Sequence, residues 1–388
     1  MCFGICTYAL YVGSLWYYEV TGNAAFPLIG GATVGVGAGA VFITSGYIQV
    51  AYSNDKNKGQ FIAIQNTIQA AGSLICSILP VILNRENTES AGVPAAIYAT
   101  YIALMLAVAL LSLVTLRRPD EVKDDADVKV VALENKSNMS ELLSNLAVFK
   151  DWKLLVMLPA FLPAGSFLIY LGSTNAFENS LRARSLLSFV ALVVQIPFGH
   201  ILQLILDNDG WTKRRRALAG LSFVAVPLTA AWLWEIVRTR HFDRASPPTS
   251  PVDWTETRYG LAMVLFVLNW TASILWQYIV PWFIGNLDIP QGKIGHYMGV
   301  QRGFLAAGEA ICFGVDAAKI SFVVFASAIF AFYVVGITVL AYIGGSKLVE
   351  STERKIDVEI GEQSDSTEKA RDEKGDLSTT TRSSTVSR

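Results

Sequence analysis

Charged residues are scarce in this chain of 388 residues, since Asp, Glu, Lys and Arg make up 16% of it, against about 25% in a typical soluble domain. The deficit is uneven. Residues 1–54 hold a single charged side chain, Glu19, and seven further stretches of at least 18 residues hold none. This scarcity excludes a soluble globular protein and predicts a polytopic membrane protein whose first partner is the lipid bilayer.

Other absences narrow the class of protein. The net charge is −1 and no sustained basic surface is present, which excludes nucleic acid as a partner. The sequence lacks HExxH, GxSxG and Walker motifs, so we predict no enzyme, no cofactor and no ATP-driven pump. Four cysteines occur without metal-site spacing, and they are interpreted as small core residues rather than a disulfide framework or a metal site. They are Cys2, Cys6, Cys76 and Cys312.

Long apolar runs predict the fold. A helix needs about 20 apolar residues to cross the hydrocarbon core, whereas the strands of a membrane barrel alternate over roughly ten. The runs are continuous, so we predict an all-α transmembrane bundle with ten spans. The spans fall near 1–18, 26–50, 60–82, 95–116, 153–172, 185–206, 217–236, 259–285, 295–316 and 321–343.

Two polar stretches divide the chain. We predict an N-terminal transmembrane half of four spans, a central loop, a C-terminal half of six spans, and a tail whose charge and Ser/Thr content predict disorder. The boundaries are 1–116, 117–152, 153–346 and 347–388.

Lys and Arg in the loops predict the orientation, because cytoplasmic loops are enriched in both. The loops on the side that holds both termini carry thirteen, and the loops on the other side carry eight. Both termini are therefore predicted to be cytoplasmic. The pattern does not distinguish the plasma membrane from an internal one.

Two glycosylation sequons test this orientation. Asn135-Lys-Ser and Asn138-Met-Ser lie in the central loop, and a cytoplasmic loop never meets the glycosylation machinery of the secretory pathway. We expect both asparagines to stay unmodified. Glycosidase treatment of the purified protein followed by mass spectrometry checks this, and a glycan on either asparagine would reverse the assigned orientation.

A glycine-rich run, GGATVGVGAGA at 30–40, contains GxGxxA at Gly35, Gly37 and Ala40. No short strand precedes it, as a dinucleotide-binding turn requires. Glycines spaced by four, Gly31, Gly35 and Gly39, instead predict a helix face that lets a neighbouring backbone approach closely.

The segment GHILQLILDNDGWTKRRRA at 199–217 joins two spans through a short loop. It resembles the signature loop of the major facilitator superfamily, which lies between the second and third helices and again between the eighth and ninth. The resemblance implies that Asp207 caps or pairs with the base of a neighbouring helix, while arginines such as Arg214 and Arg215 hold a cytoplasmic gate and Gly199 belongs to the motif. A simple topology anchor would explain the arginines alone.

If this loop joins helices eight and nine, the spans number three to twelve of a six-plus-six fold, and a first pair of helices is expected upstream of Met1. Four segments resemble the fungal Unc-ninety-three-like branch of that superfamily. They are YALYVGSLWYYEVTGN (8–23), AYSNDKNKGQFIA (51–63), 199–217 and YMGVQRGFLAAGEAICFGVDA (297–317).

Ionisable groups inside spans mark candidate pathways, because each costs roughly 2.5–3.5 kcal/mol at the bilayer centre. Arg302, Glu309 and Asp316 recur every seven residues and so share one helical stripe. Arg302 and Asp316 lie toward opposite ends, where long side chains snorkel. Glu309 lies near the middle and is the strongest site candidate.

Uncharged polar residues inside other spans are weaker pathway candidates. For each of them, an interhelical hydrogen bond of about 0.6 kcal/mol is the more common role. They are Gln65, Asn66, Gln69, Gln195, His200, Asn269 and Gln277.

These features favour a secondary transporter that moves a small solute or ion by alternating access of two halves around a midplane site. The alternative is a membrane scaffold or regulator with another membrane protein as its partner, or a degenerate transporter copy. The fold alone does not separate the two.

Overall fold

The computed structural model describes residues 2–51, 57–86, 95–115, 147–246, 248–287, 289, 291–346 and 348. Within them the chain forms eleven α-helices, joined in places by 3₁₀ turns. They are α1 (Cys2–Thr21), α2 (Ala25–Ala51), α3 (Lys58–Leu83), α4 (Ala95–Thr115), α5 (Trp152–Phe161), α6 (Ser166–Glu178), α7 (Leu181–Leu206), α8 (Lys213–Arg238), α9 (Thr257–Asn286), α10 (Gln291–Ala317) and α11 (Phe322–Ser346).

The prediction of an all-α bundle is confirmed. Each predicted span contains a helix, with α5 and α6 together forming the fifth. Eight of these spans are long and apolar enough to cross a membrane; α1 and α10 fall outside that set, and α10 carries the three charges at 302, 309 and 316. In the part of the chain that the structure describes, the only β pairing is an isolated bridge from Asn179 to Val252.

The structure describes only part of the polar segments. Both sequons, the central loop up to residue 146 and the tail from residue 349 lie outside the described residues. The division into two halves by that loop therefore stays a prediction.

The fifth span is broken in its middle. A 3₁₀ turn over Leu162–Ala164 separates α5 from α6, where Pro159 and Pro163 cannot donate backbone hydrogen bonds. The turn frees backbone carbonyls inside the bundle, and side chains from the later helices bond them. This break positions the candidate site described below.

The glycines of α2 do permit close packing, but not on the predicted face. A Cβ atom at Gly37 would collide with Thr7 of α1, and one at Gly30 would lie 2.6 Å from the Ser14 hydroxyl. Gly35 and Gly39 have no atom within 4 Å of the corresponding position. The contact face with α1 thus uses residues spaced by seven, 30 and 37, because two successive turns of α2 meet α1 there.

Aromatic side chains fill the centre of the C-terminal half. Tyr170 of α6 packs against Trp232 of α8 and Phe325 of α11, with ring centroids 5.3 Å apart in both pairs. Tyr333 of α11 contacts Trp276 of α9 edge to face. All five rings are at most 2% exposed, so this half is a tightly packed unit.

Helices α1–α4, the predicted N-terminal half, contact α5–α11, the predicted C-terminal half, mainly through two helix pairs. In the first, α3 runs along α7; in the second, α2 packs against α10, where the methyl group of Met298 lies 2.9 Å from the position of a Cβ on Gly46. We call the end of the bundle where α4 ends and α5 begins the central-loop side, and the opposite end the far side. Helices alternate in direction, so the 207–212 loop belongs to the central-loop side.

Candidate functional site

The turn at 162–164, between α5 and α6, contacts α10 at Gly308. A Cβ on Gly308 would overlap the carbonyl oxygen of Leu162, so only glycine lets the turn lie against α10. The freed carbonyls are bonded from α9 and α11: Gln277 Nε2 donates to Ala164 at 2.6 Å and the Tyr333 hydroxyl donates to Pro163 at 2.9 Å. The carbonyl groups of Pro163 and Ala164 at the break are therefore hydrogen-bonded by side chains.

Glu309 faces this break. Its carboxylate lies against Gly165, the residue that precedes α6, and a Cβ there would clash with it. The start of a helix carries partial positive charge, which favours a nearby anion. Tyr8 of α1 lies close enough to interact electrostatically with the carboxylate. Glu309 thus stands where the two halves meet, at the break in the fifth span.

The Glu309 carboxylate forms no hydrogen bond or ion pair with a described residue, and Arg302 acts on it only electrostatically. The side chain is half-buried. A half-buried carboxylate inside a membrane span is costly unless it serves a pathway or a ligand. Glu309 is therefore a candidate group for binding a proton or a cation.

Arg302 lies two turns away on the same stripe. Its guanidinium sits over the ring of Phe42 on α2, 5.3 Å from the centroid, so it reaches across the junction. Its Nε atom is buried without a hydrogen-bond partner. The neighbouring Gln301 is 0% exposed, and neither its amide nitrogen nor its amide oxygen is bonded.

Asp316 is not brought together with Glu309. It accepts hydrogen bonds from Ser173 at 2.6 Å and from Arg244 at 2.5 Å, at the far-side end of α10. Asn269 also lies away from the junction, fully buried between α9 and α8, where its amide is 3.5 Å from the Ala231 carbonyl oxygen.

The other polar candidates lie on α3 and α7. Gln65 is half-buried and Gln69 is exposed on α3, while Asn66 is buried. Gln195 accepts a hydrogen bond from the indole of Trp270 at 2.9 Å, inside the C-terminal half. His200 Nε2 lies 3.1 Å from the Thr67 hydroxyl and so bridges the two halves.

A second junction lies on the central-loop side. Asp207 follows α7 and accepts hydrogen bonds from the backbone N–H groups of Gly59 at 2.8 Å and Gln60 at 2.6 Å. These are the first N–H groups of α3, which have no partner within the helix. Burial raises the pKa of the Asp207 carboxyl, and the two N–H donors oppose that rise. Lys58 adds a hydrogen bond to the Gly285 carbonyl.

The basic residues beside Asp207 differ in exposure and in their contacts. Arg214 and Arg215 are exposed, and Arg215 stacks on Trp211 with 4.3 Å to the ring centroid. Arg216 and Lys213 are buried, and Arg216 donates to the Leu206 carbonyl at 3.3 Å. Gly199 lies inside α7 against Tyr278.

We expect Asp207→Ala to raise amide exchange at Gly59 and Gln60 by about 10- to 100-fold, because each bond to a charged acceptor contributes about 1.5–3 kcal/mol. Hydrogen exchange with mass spectrometry on a peptide spanning residues 57–62 measures this. Asp209→Asn, an exposed change in the same loop, is the matched control and should leave exchange unaltered. Unchanged exchange in Asp207→Ala would show that the cap does not hold the halves together.

Several residues of the site were not predicted from the sequence. Pro159 and Pro163 were the available signal for the break, but one uninterrupted span was expected at 153–172. Gln301 lacked a signal because its burial depends on the packing of α10 against neighbours. Glu235 and Arg238, spaced by three, form an ion pair at 2.7 Å at the end of the span predicted at 217–236.

The fold matches solved transporters. The *Escherichia coli* fucose:proton symporter, solved as a variant, superposes with a TM-score of 0.54 at 14% identity, covering 88% of this chain and 82% of that one. A structure of the transporter FucP in the outward conformation gives a TM-score of 0.55 at 16% identity, over 88% and 81%. At these identities the likeness establishes the fold alone. The chain is a polytopic membrane protein with the major-facilitator fold.

Sequence relatives narrow this class. An uncharacterized membrane protein of *Schizosaccharomyces pombe* is 35% identical over 325 residues, 82% of this chain and 65% of that protein. UNC93-like protein 1 of *Arabidopsis thaliana* is 27% identical over 320 residues, 82% and 70%. The chain spans about two thirds of the length of these relatives. No protein-family model matches it. The resemblance to the UNC93-like (Unc-ninety-three-like) branch is confirmed.

Proposed function

We propose that this protein is a secondary transporter that moves a small solute or ion by alternating access, with Glu309 as the group that binds the coupling proton or a cation. The observation that carries the proposal is the unpaired Glu309 carboxylate, placed between the broken fifth span and α1. Transporters of this general design bind substrates and coupling ions near the midplane, at discontinuous helices.

The contacts on the central-loop side support a rocking motion. Asp207 of the C-terminal half holds the first turn of α3 in the N-terminal half, and this junction consists of a few hydrogen bonds. A small number of bonds at one end of the bundle is a suitable gate, since breaking them costs little compared with unpacking a core. Alternating access requires that they open and re-form in each cycle.

The proposal is tested in proteoliposomes that contain a pH-sensitive dye. A panel of small neutral, anionic and cationic solutes is added under an inward proton gradient. We expect at least one solute to drive proton entry in the wild type and none to do so in Glu309→Gln, which keeps the shape of the side chain but cannot titrate. Glu256→Gln, which changes an exposed carboxylate paired with Arg258 in a far-side loop, should behave as the wild type.

Two outcomes would contradict the proposal. A folded wild-type protein that moves none of these solutes would favour the non-transporting scaffold. Proton entry that is unchanged in Glu309→Gln would leave transport in place and remove Glu309 from the coupling.

A further inference from the structure

Arg302 differs from three arginines on the far side of the bundle, although Arg184 there also has a buried Nε atom without a hydrogen-bond partner. There, Arg182 pairs with Asp253, Arg238 with Glu235 and Arg244 with Asp316. Arg302 forms no ion pair and donates no hydrogen bond within the described ranges. A positive charge kept inside a span without a partner is costly, which makes it a candidate binding group for a ligand.

The surroundings of Arg302 leave its donors available. The face of the guanidinium is covered by the Phe42 ring, and such a contact engages the π-system rather than the N–H groups at the edge. Those N–H groups form a rigid planar fork that matches carboxylate and phosphate oxygens. The stacking therefore holds the fork in place without using it.

Glu309 interacts electrostatically with Arg302 but forms no ion pair with it. The two residues are seven apart on α10, about 10 Å along the helix axis, and the Glu309 carboxylate is turned against Gly165 at the start of α6. The junction thus presents one free cationic fork and one free carboxylate, each held by a different neighbour.

We propose that the transported solute carries an anionic group, a carboxylate, phosphate or sulfonate, which binds the guanidinium of Arg302 between α10 and α2. This inference rests on the proposed transport function and names the class of its substrate. A small anion supplies the hydrogen-bond acceptors that Arg302 lacks, and Phe42 orients the fork toward it from α2. Glu309 stays free for the coupling ion.

The arginine reagent phenylglyoxal tests the proposal on the full chain in phosphatidylcholine nanodiscs. Modification is followed by mass spectrometry at Arg302 and, as an internal control, at exposed Arg240. The probes are inorganic phosphate, succinate, gluconate and methanesulfonate, with succinamide and sorbitol as neutral counterparts. We expect at least one anion to slow modification of Arg302 by threefold or more, with no effect at Arg240 and no effect of the neutral compounds.

Binding of the protecting anion is then measured by calorimetry. Arg302→Gln should weaken it by about 10- to 100-fold, as expected for lost hydrogen bonds to a charged group, whereas Arg240→Gln should not. Resistance of Arg302 to the reagent, protection by no anion, or equal protection at Arg240 would overturn the proposal. Protection that requires phosphatidylglycerol in the nanodisc would instead assign Arg302 to a lipid phosphate and overturn it.

The two proposals fail in different ways. If the solute that drives proton entry is neutral or cationic, transport stands and the anion site is wrong. If an anion protects Arg302 but nothing is transported, the binding site stands and the transport function is wrong.

Discussion

Glu235→Ala is expected to destabilise the protein by about 1–3 kcal/mol, the cost of leaving a buried donor without its acceptor, whereas Glu309→Ala should cost less. Glu235 is 1% exposed, and its carboxylate accepts hydrogen bonds from Arg238 at 2.7 and 3.0 Å and from the Tyr170 hydroxyl at 3.1 Å. Removing the Glu235 carboxylate leaves the buried Tyr170 hydroxyl without its acceptor, while Arg238 keeps its second ion pair, with Glu178. Glu309 accepts no hydrogen bond from a described residue, so its removal leaves no donor without its acceptor.

Thermal unfolding followed by tryptophan fluorescence measures this difference, and Trp232, which packs on Tyr170, reports on the affected region. The pair also separates two kinds of carboxylate in one protein, one that stabilises the fold and one for which we propose a role in transport. Equal loss of stability in both variants would show that Glu309 has a structural partner.

Gly308→Ala is expected to destabilise the protein by at least about 1–3 kcal/mol, the usual cost of overpacking. The new methyl group would overlap the Leu162 carbonyl oxygen. Backbone cannot move aside as a flexible side chain does, so α10 and the turn at 162–164 must separate. Because Glu309 is the next residue, the same change should also disturb solute binding.

Gly314→Ala on the same helix is the matched control, since no atom lies within 4 Å of its Cβ position. Alanine has the higher helix propensity, so this variant should be at least as stable as the wild type. The two variants are compared by the fraction of protein that stays folded in detergent after heating. A Gly308→Ala protein as stable as Gly314→Ala would mean that the turn does not pack against α10 as described.

The helices were predictable because a span is a local property. An uninterrupted apolar run of about 20 residues has one stable state in a bilayer, the helix, and each predicted run contains one. The break at 162–164 was harder to predict from the sequence, because proline permits a kink without requiring it. The packing face of α2 depended on which residues of α1 oppose it, and the sequence of α2 alone does not specify them.

The candidate site was predictable only in part. The interval of seven between Arg302, Glu309 and Asp316 indicates one stripe, but the stripe is not one site. Its last member bonds to Arg244, which is 72 residues away in the chain. The contacts of Asn269 and Gln277 were not predictable either. Their partners are backbone carbonyls of other spans, and no pattern within one span identifies a partner on another.

The central claim is that Glu309 carries the coupling ion, and two assays on one Glu309→Gln preparation test it most directly. The first measures accumulation of the transported solute driven by a pH gradient, and the second measures exchange of labelled for unlabelled solute without a gradient. We expect accumulation to be lost and exchange to be retained, because exchange needs solute binding but no proton. Accumulation equal to the wild type, or loss of both activities in a folded protein, would contradict a coupling role for Glu309.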